Sequence, residues 1–418
     1  SSSPYVMPLN QLASAPWFSR ITTIVTPAAT DPGHLSAVRQ QSSSILLEWW
    51  QAHGRRDPQQ KPWMYRTDTS WPLPNQLLSP YGIWIAEVML QQTQLQVVLP
   101  YWQRWMEAFP TLEALAQASE HDVLLRWQGL GYYSRARRLL AGAQQLIEQI
   151  APLSSTTLSA WPKDLECWMS LPGIGRTTAA GILSSACNSP LAILDGNVRR
   201  VLARLHAHPR SPSRDEGLFW QWSELLIEAD PARARDLNQA LMDLGATVCT
   251  PRSPNCGACP WREQCAAYAA GDVEHYPVKD TPRAVPFQVI GVGVVLNDAG
   301  EVLIDQRLNE GLLGGLWEFP GGKQEHDEAI EDTISRELRE ELAIEVSVAE
   351  ELITVEHAYS HKKLRFVVHL CQWRTGEPQP LASQQVRWVR PESLADYPFP
   401  AANAKIIAAL LKHLLRMS

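Results

Sequence analysis

Four cysteines crowd into one short stretch of this chain: Cys249, Cys256, Cys259 and Cys265, spaced C-x6-C-x2-C-x5-C. Thiols this dense are not separate core residues; they wrap one compact centre, either zinc or an iron–sulfur cluster. The spacing alone leaves both open. Seven cysteines in all, an odd number with four bunched together, do not read as a disulfide framework. The loop that carries them must therefore fold around a metal.

At 418 residues, 45% hydrophobic and 19% charged, the chain has room for two or three cores. No apolar run approaches a membrane span, and the N-terminus lacks the basic-then-apolar order of a signal peptide. These features point to the cytosol and to no membrane partner. The net charge of −7 is unevenly spread. Residues 1–280 hold 23 Lys and Arg against 24 Asp and Glu, whereas 281–418 hold 14 against 20. A basic face on the first part remains available for phosphate contact, which needs local charge only.

The pattern divides the chain. Residues 1–40 show no sustained period and are expected to form a weakly ordered extension. From 41 to 248 the period is helical; Leu139, Leu140, Ala143, Leu146, Ile147 and Ile150 form one stripe, with Arg137 and Arg138 facing outward. The cysteine loop covers 249–270, and Pro277, Pro282 and Pro286 mark 271–286 as an interdomain linker. Over 287–418 an α+β domain is expected. It has strands at Phe287–Leu296 and Glu301–Arg307, a helix near 326–342, strands near 364–373 and 386–389, and a last helix near 401–416.

Within the helical region, Leu171-Pro172-Gly173-Ile174-Gly175 lies between two helical segments. Its glycines let backbone approach a phosphate at a helix N-terminus, although such a turn also serves simply to join helices. Twenty residues on, Asp195 sits where it would cap the next helix. Accepted backbone N–H bonds would keep its carboxylate ionised. Glu87 is surrounded in sequence by Ile85, Ala86, Val88, Met89 and Leu90, and desolvation there should raise its pKa.

Together the hairpin, the Asp beyond it and the cysteine loop resemble the endonuclease III superfamily, the helix-hairpin-helix DNA glycosylases. Ile85-Ala-Glu87-Val-Met-Leu-Gln-Gln92 and Trp127-Gln-Gly-Leu-Gly-Tyr132-Tyr-Ser-Arg135-Ala-Arg137 resemble its MutY-type branch, the adenine DNA glycosylases. The match runs from about 44 to 270. It implies an all-α glycosylase domain, a 4Fe–4S cluster on the four cysteines, and a monomer acting on DNA with adenine opposite 8-oxoguanine or guanine in a bacterial cytoplasm. It also implies that Glu87 is the acid that protonates adenine and that Asp195 steadies a cationic sugar, with Asn197 orienting the site. Leu171, Pro172, Gly173, Gly175 and Thr177 would meet the DNA backbone. Gln92 and Tyr132 would fill the space left by a flipped base, with Arg135 and Arg137 on the same DNA-facing edge. Where relatives that cleave the strand carry a lysine, this chain has Thr177. A hydroxyl forms no Schiff base, so base removal without strand cleavage is expected. A non-catalytic damage binder is the rival from another class, and the presence of both carboxylates argues against it.

The C-terminal part resembles a Nudix domain. Gly315-Leu-Trp-Glu-Phe-Pro-Gly-Gly322 leads to Glu328 and then to Arg336-Glu337-Leu-Arg-Glu340-Glu341, with Ala343 where the motif has glycine. Glu337, Glu340 and Glu341 share a helix face and would suit Mg²⁺. Two readings follow. The domain reads 8-oxoguanine through Tyr359, Ser360 and His361 and keeps the glutamates for structure, or it hydrolyses a nucleotide with Mg²⁺. The first is preferred, because glutamates on an exposed helix face are usually only solvated. Ala343 is expected to loosen the turn that ends the helix.

Overall fold

The computed structural model describes residues 32–65, 70–150, 157–280, 286–311, 313–358 and 362–417. Its helices are α1 (Pro32–His53), α2 (Pro80–Leu90), α3 (Leu95–Ala108), α4 (Leu112–Ala116), α5 (Glu120–Trp127), α6 (Ser134–Ile150) and α7 (Leu165–Met169). They continue with α8 (Arg176–Cys187), α9 (Gly196–Leu205), α10 (Glu216–Ala229), α11 (Ala234–Thr247), α12 (Ala266–Ala269), α13 (Ile330–Leu342) and α14 (Ala401–Met417). The strands are β1 (Phe287–Leu296), β2 (Val302–Gln306), β3 (Trp317–Glu318), β4 (Gly321–Lys323), β5 (Glu345–Ala358), β6 (Lys363–Thr375) and β7 (Gln385–Val389). Helices followed by an α+β domain are thus the architecture. Helix α1 begins at Pro32, inside the stretch expected to be a weakly ordered extension. No described helix is long and apolar enough to cross a membrane.

Proximity divides the chain into two units: residues up to 95 with 146–282, and residues 96–145 with 283–418. In the first, Leu46, Leu47 and Trp50 of α1 pack with Val198, Val201 and Leu202 of α9, Phe219 of α10, and Leu237, Leu241 and Leu244 of α11. The last three fall at i, i+4 and i+7, one stripe of a helix. Arg235, fully buried, donates to the carbonyls of Ser185, Leu73 and Gln76, and so ties an irregular proline-rich stretch to the helices. Such a cation is tolerated inside only because its donors are satisfied. Residues of the expected linker are also held here: Asp280 accepts from Ser211, Ser213 and Arg214.

In the second unit the sheet runs β3-β2-β1-β6-β5, with β4 on β1 and β7 on β2. Alternate residues face opposite layers. Val292, Val294, Val302 and Ile304 pack toward Phe399, Ile406 and Leu410, whereas Val295 and Leu303 pack toward Ile334, Leu338 and Leu342 of α13. Gly291 and Gly293 of β1 let α13 close onto the sheet; a methyl group at either would press on Ile334 or Leu338 at 3.0–3.2 Å. The strand β5 was not expected from the sequence. The helices of residues 96–145 centre on Trp105, whose ring meets Phe109 and Trp127 edge-on.

Candidate active site

Glu87 lies on α2, a helix apolar on all sides, and α8 packs against it. The helix α8 presents Gly181 to the carboxyl group. A Cβ there would stand 3.0 Å from Glu87 Oε2 and 3.1 Å from its Cδ, so only glycine leaves the acid its room. Burial, reinforced by the charge of Asp195 and opposed by Lys61, pushes Glu87 up to about 7. The shift expected from its neighbours in sequence is therefore present, and the fold adds a second carboxylate to it.

Asp195 caps α9. Its Oδ1 accepts from the Val198 amide at 2.7 Å, and its Oδ2 from Asn197 Nδ2 at 3.2 Å. Here the sequence expectation needs correcting. Burial outweighs these bonds and the nearby Arg200, and the carboxyl is raised above its ordinary value. The donors resist that rise without reversing it, because accepting two hydrogen bonds replaces only part of the water lost. Asn197 is fixed in turn. Its Oδ1 accepts from Arg200 at 2.8 Å, and the absent side chain of Gly245 leaves space for its Cβ. Arg200 also donates to the carbonyls of Gly245 and Cys249, at 2.6 and 2.8 Å. The Thr177 hydroxyl accepts the Leu194 N–H at 3.3 Å and steadies the residue before Asp195.

Cys249, Cys256, Cys259 and Cys265 line one pocket with Arg204, Arg262 and Tyr268. Among the described residues no three side chains converge closely enough for a single metal ion. The four thiols instead surround a volume, which suits a multi-iron cluster better than one zinc. Burial pushes Cys259 up to about 12 and raises Cys256 and Cys265; a metal centre held there would supply the charge that keeps them thiolates. Arg204 reaches Cys249 Sγ at 3.3 Å and the Thr250 carbonyl at 2.6 Å.

The hairpin joins α7 to α8. Asp164 caps α7, Gly173 takes a left-handed φ of 77°, and Gly175 is the N-cap residue of α8. Pro172, Gly173 and Gly175 are exposed or half-exposed, but Leu171 is buried, so only its backbone can meet a phosphate. Gln92 and Tyr132 are both exposed, and both hold left-handed backbones, φ 59° and 49°. Residues other than glycine rarely do so without a function to serve. Arg135 does not lie on an exposed edge, and Arg137 is engaged within the protein. Arg135 is buried and donates to the Gly131 carbonyl at 3.1 Å, between the rings of Trp127 and Tyr132. Arg137 is taken up by the carbonyls of Asn309 and Gly311. The turn at 130–132 points its carbonyls inward, and those acceptors capture the guanidinium.

Comparison with known proteins accords with this arrangement. Residues 85–223 match the HhH-GPD superfamily of base excision DNA repair proteins, 249–265 the iron–sulfur binding domain of endonuclease III, and 291–409 a NUDIX domain. The adenine DNA glycosylase of Rattus norvegicus is 32% identical over 88% of this chain and 77% of its own. That of Homo sapiens is 33% identical over 86% of this chain and 72% of its own. The chain belongs to the adenine DNA glycosylase family. An adenine DNA glycosylase of Buchnera aphidicola is 29% identical over 78% of this chain and 84% of its own. The protein is therefore a DNA glycosylase of base excision repair, and its cysteine loop holds an iron–sulfur cluster.

In the C-terminal domain of this glycosylase, two of the three glutamates expected to suit a metal, Glu337 and Glu340, are paired with Arg336. Arg336 binds Glu328 and Glu337 at 2.8 Å and reaches Glu340 at 3.3 Å. Glu341 is raised to about 7 by burial and by Glu337 and Glu318. Ala343 does not loosen the turn. It holds the left-handed conformation a glycine would take, φ 57°, and its N–H reaches the carbonyls of Arg339 and Leu338. Tyr359, Ser360 and His361 lie outside the described residues. Sequence reasoning missed Gly181 and Lys61, because neither belongs to a motif and each matters only through what the fold sets beside it.

Proposed function

We propose that this glycosylase excises adenine opposite 8-oxoguanine or guanine, with Glu87 as its acid and Asp195 as the stabiliser of the sugar. The observation that carries the reading is Glu87 itself: an acid raised to about 7, given room by Gly181, with Asp195 anchored beside it. Protonated Glu87 gives its proton to a ring nitrogen of the flipped adenine. The C1′–N9 bond then breaks with its electron pair leaving on the base, and positive charge develops on the sugar. Asp195, ionised at that moment, faces that charge. Water adds to C1′ and returns a proton to the Glu87 carboxylate. Thr177 supplies no amine, so the strand stays intact.

Gln92 and Tyr132 enter the stack as the adenine leaves it; their exposure and strained backbones support this role. The hairpin amides around Gly173 and Gly175 grip the phosphates. The cluster is of the 4Fe–4S type, and when bound it ties together a loop that Arg200 and Arg204 join to α9. The protein acts as a monomer. Glu87→Gln tests the reading. It should bind an A:8-oxoguanine duplex as tightly as the wild type and release adenine at least a hundredfold more slowly, on the order of what a positioned acid contributes. Near-normal single-turnover release would remove Glu87 from this role.

The C-terminal domain serves as the lesion reader. Arg336, by occupying Glu337 and Glu340, favours a structural part for the box helix. The intact turn at Ala343 keeps a second reading in play, Mg²⁺-dependent nucleotide hydrolysis. Metal-dependent release of phosphate or pyrophosphate from nucleotides, abolished by Glu337→Gln with Glu340→Gln, would establish it.

A further inference from the structure

Lys61 is an unusual residue to find where it lies. It immediately precedes a short turn (Pro62–Met64) whose Trp63 and Met64 are buried and which packs on α2, the helix of Glu87. The lysine is only 4% exposed. Its Nζ donates to Gln239 Oε1 at 2.7 Å and to Asp243 Oδ1 at 2.9 Å, both on α11. Gln239 passes the connection to α8 by donating to Ser185 Oγ at 3.3 Å. Ser185 stands one turn beyond Gly181 and so shares the face of α8 that receives the Glu87 carboxyl.

An ordinary structural ion pair would need none of this convergence. Asp243 is already engaged by Trp50 Nε1 and by the Arg55 side chain and amide, each at 2.8 Å. Lys61 is thus a second cation on one carboxylate. Burying an ammonium ion costs several kcal/mol unless it is paired, so a position like this is kept only with firm support. The charged groups facing Glu87 are Asp195, at the start of α9, and Lys61. Those facing Lys61 are Asp243, Arg55 and Glu87.

We propose that Lys61, held by Gln239 and Asp243, is a positioning residue that sets how firmly Glu87 keeps its proton. The inference rests on the reading of Glu87 as the acid. Chemistry supplies the reason for such a device. One carboxyl must give a proton to adenine and then take one back from water, so its proton affinity has to stay near the working pH. Burial and Asp195 both drive it upward, and Lys61 supplies the opposing charge.

The test is single-turnover adenine release by the full chain as a function of pH. It compares wild type, Lys61→Met, Lys61→Gln and Lys61→Arg, with Glu87→Gln as the control for the acid. The wild-type rate should fall as pH rises through the Glu87 range. In the Met and Gln variants that fall should move to higher pH by roughly half a unit or more, as expected from losing an opposing charge in a partly screened interior. Arg should restore the wild-type limb. Gln keeps a hydrogen-bond donor for Asp243, so it serves if Met does not fold. A rate scaled down equally at every pH, with the limb unmoved in both neutral variants, overturns the proposal and leaves Glu87 in place. An active Glu87→Gln enzyme overturns both.

Discussion

Two regions of this protein each hold a half-buried glutamate raised to about 7, in different surroundings. Glu87 in the helical unit is flanked by Asp195 and Lys61 and has space at Gly181. Glu341 in the sheet unit is flanked by Glu337 and Glu318, with Arg307 opposing. Around it the other acids are tied down: Arg336 holds Glu328 at about 2, and binds Glu337 and Glu340. A raised carboxyl is therefore no signature of chemistry by itself. What distinguishes Glu87 is a glycine packed against its carboxyl and the charge of Asp195, itself anchored by Val198 and Asn197.

The largest effect that could break this comparison is on rate. Glu87→Gln should slow adenine release by two or more orders of magnitude, whereas Glu341→Gln should leave release within about twofold. Equal losses from the two variants would show that the acids act together. Asp195→Asn should also be severely slowed, because the charge beside the sugar is lost while the Val198 cap can still be met by the amide oxygen.

Stability sharpens the comparison in the other direction. The folded pKa of Glu87, about 7, lies above its ordinary 4.5. The folded state therefore binds its proton more tightly, and stability is lost as pH rises from about 4.5 to 7 and stays lost above. Glu87→Gln removes that loss. At pH 8 it should be more stable than wild type by roughly 2–3 kcal/mol, allowing for residual solvent access, and the gain should vanish below about pH 4.5. Glu341 has the same sign, and its glutamine variant should gain roughly 1–2 kcal/mol. Denaturant unfolding at pH 4.5 and 8 measures both. If only Glu341→Gln gains, the carboxyl of Glu87 is not raised above its ordinary value in the folded enzyme.

These pairs also show what the sequence could reveal. The cap at Asp195, the apolar helix around Glu87 and the four-cysteine loop were legible because spacing along the chain carries them. Gly181 was not, since its importance is a 3.0 Å clearance from another helix. Arg135 was misread as lying on an exposed edge because a sequence shows an arginine beside tyrosines and not the inward carbonyls that capture it. The strand β5 was missed for a different reason. Its pairing with β6 slips between Val348 and Glu351 and again before Ile353, and those bulges break the alternation by which a strand is recognised.

Gly181→Ala separates room from proton affinity. Its methyl group would crowd the movable end of Glu87, so folding should change by less than about 1 kcal/mol, helped by alanine's better helix propensity. Release should nevertheless fall roughly tenfold, because a displaced acid no longer reaches its base. A variant that excises at the wild-type rate would show that the clearance has no catalytic use.

The smallest effect contrasts strain that serves a function with strain that does not. Gln92 and Ala343 both hold left-handed backbones, and both are exposed. Glycine relieves this conformation of the clash between Cβ and its own backbone, worth about 1 kcal/mol. Ala343 closes α13 by giving its N–H to the Arg339 and Leu338 carbonyls, a bond glycine makes equally well. Ala343→Gly should therefore raise stability by roughly 0.5–1 kcal/mol and leave adenine release unchanged. Gln92→Gly should stabilise by a similar amount, yet it removes the side chain that enters the stack, and its release rate should fall. The two substitutions make the same backbone change in the two regions, so any difference in rate between them belongs to the side chain at 92. If Ala343→Gly also slows release, then the end of the box helix takes part in excision, and the division of labour between the regions is narrower than the two glutamates indicate.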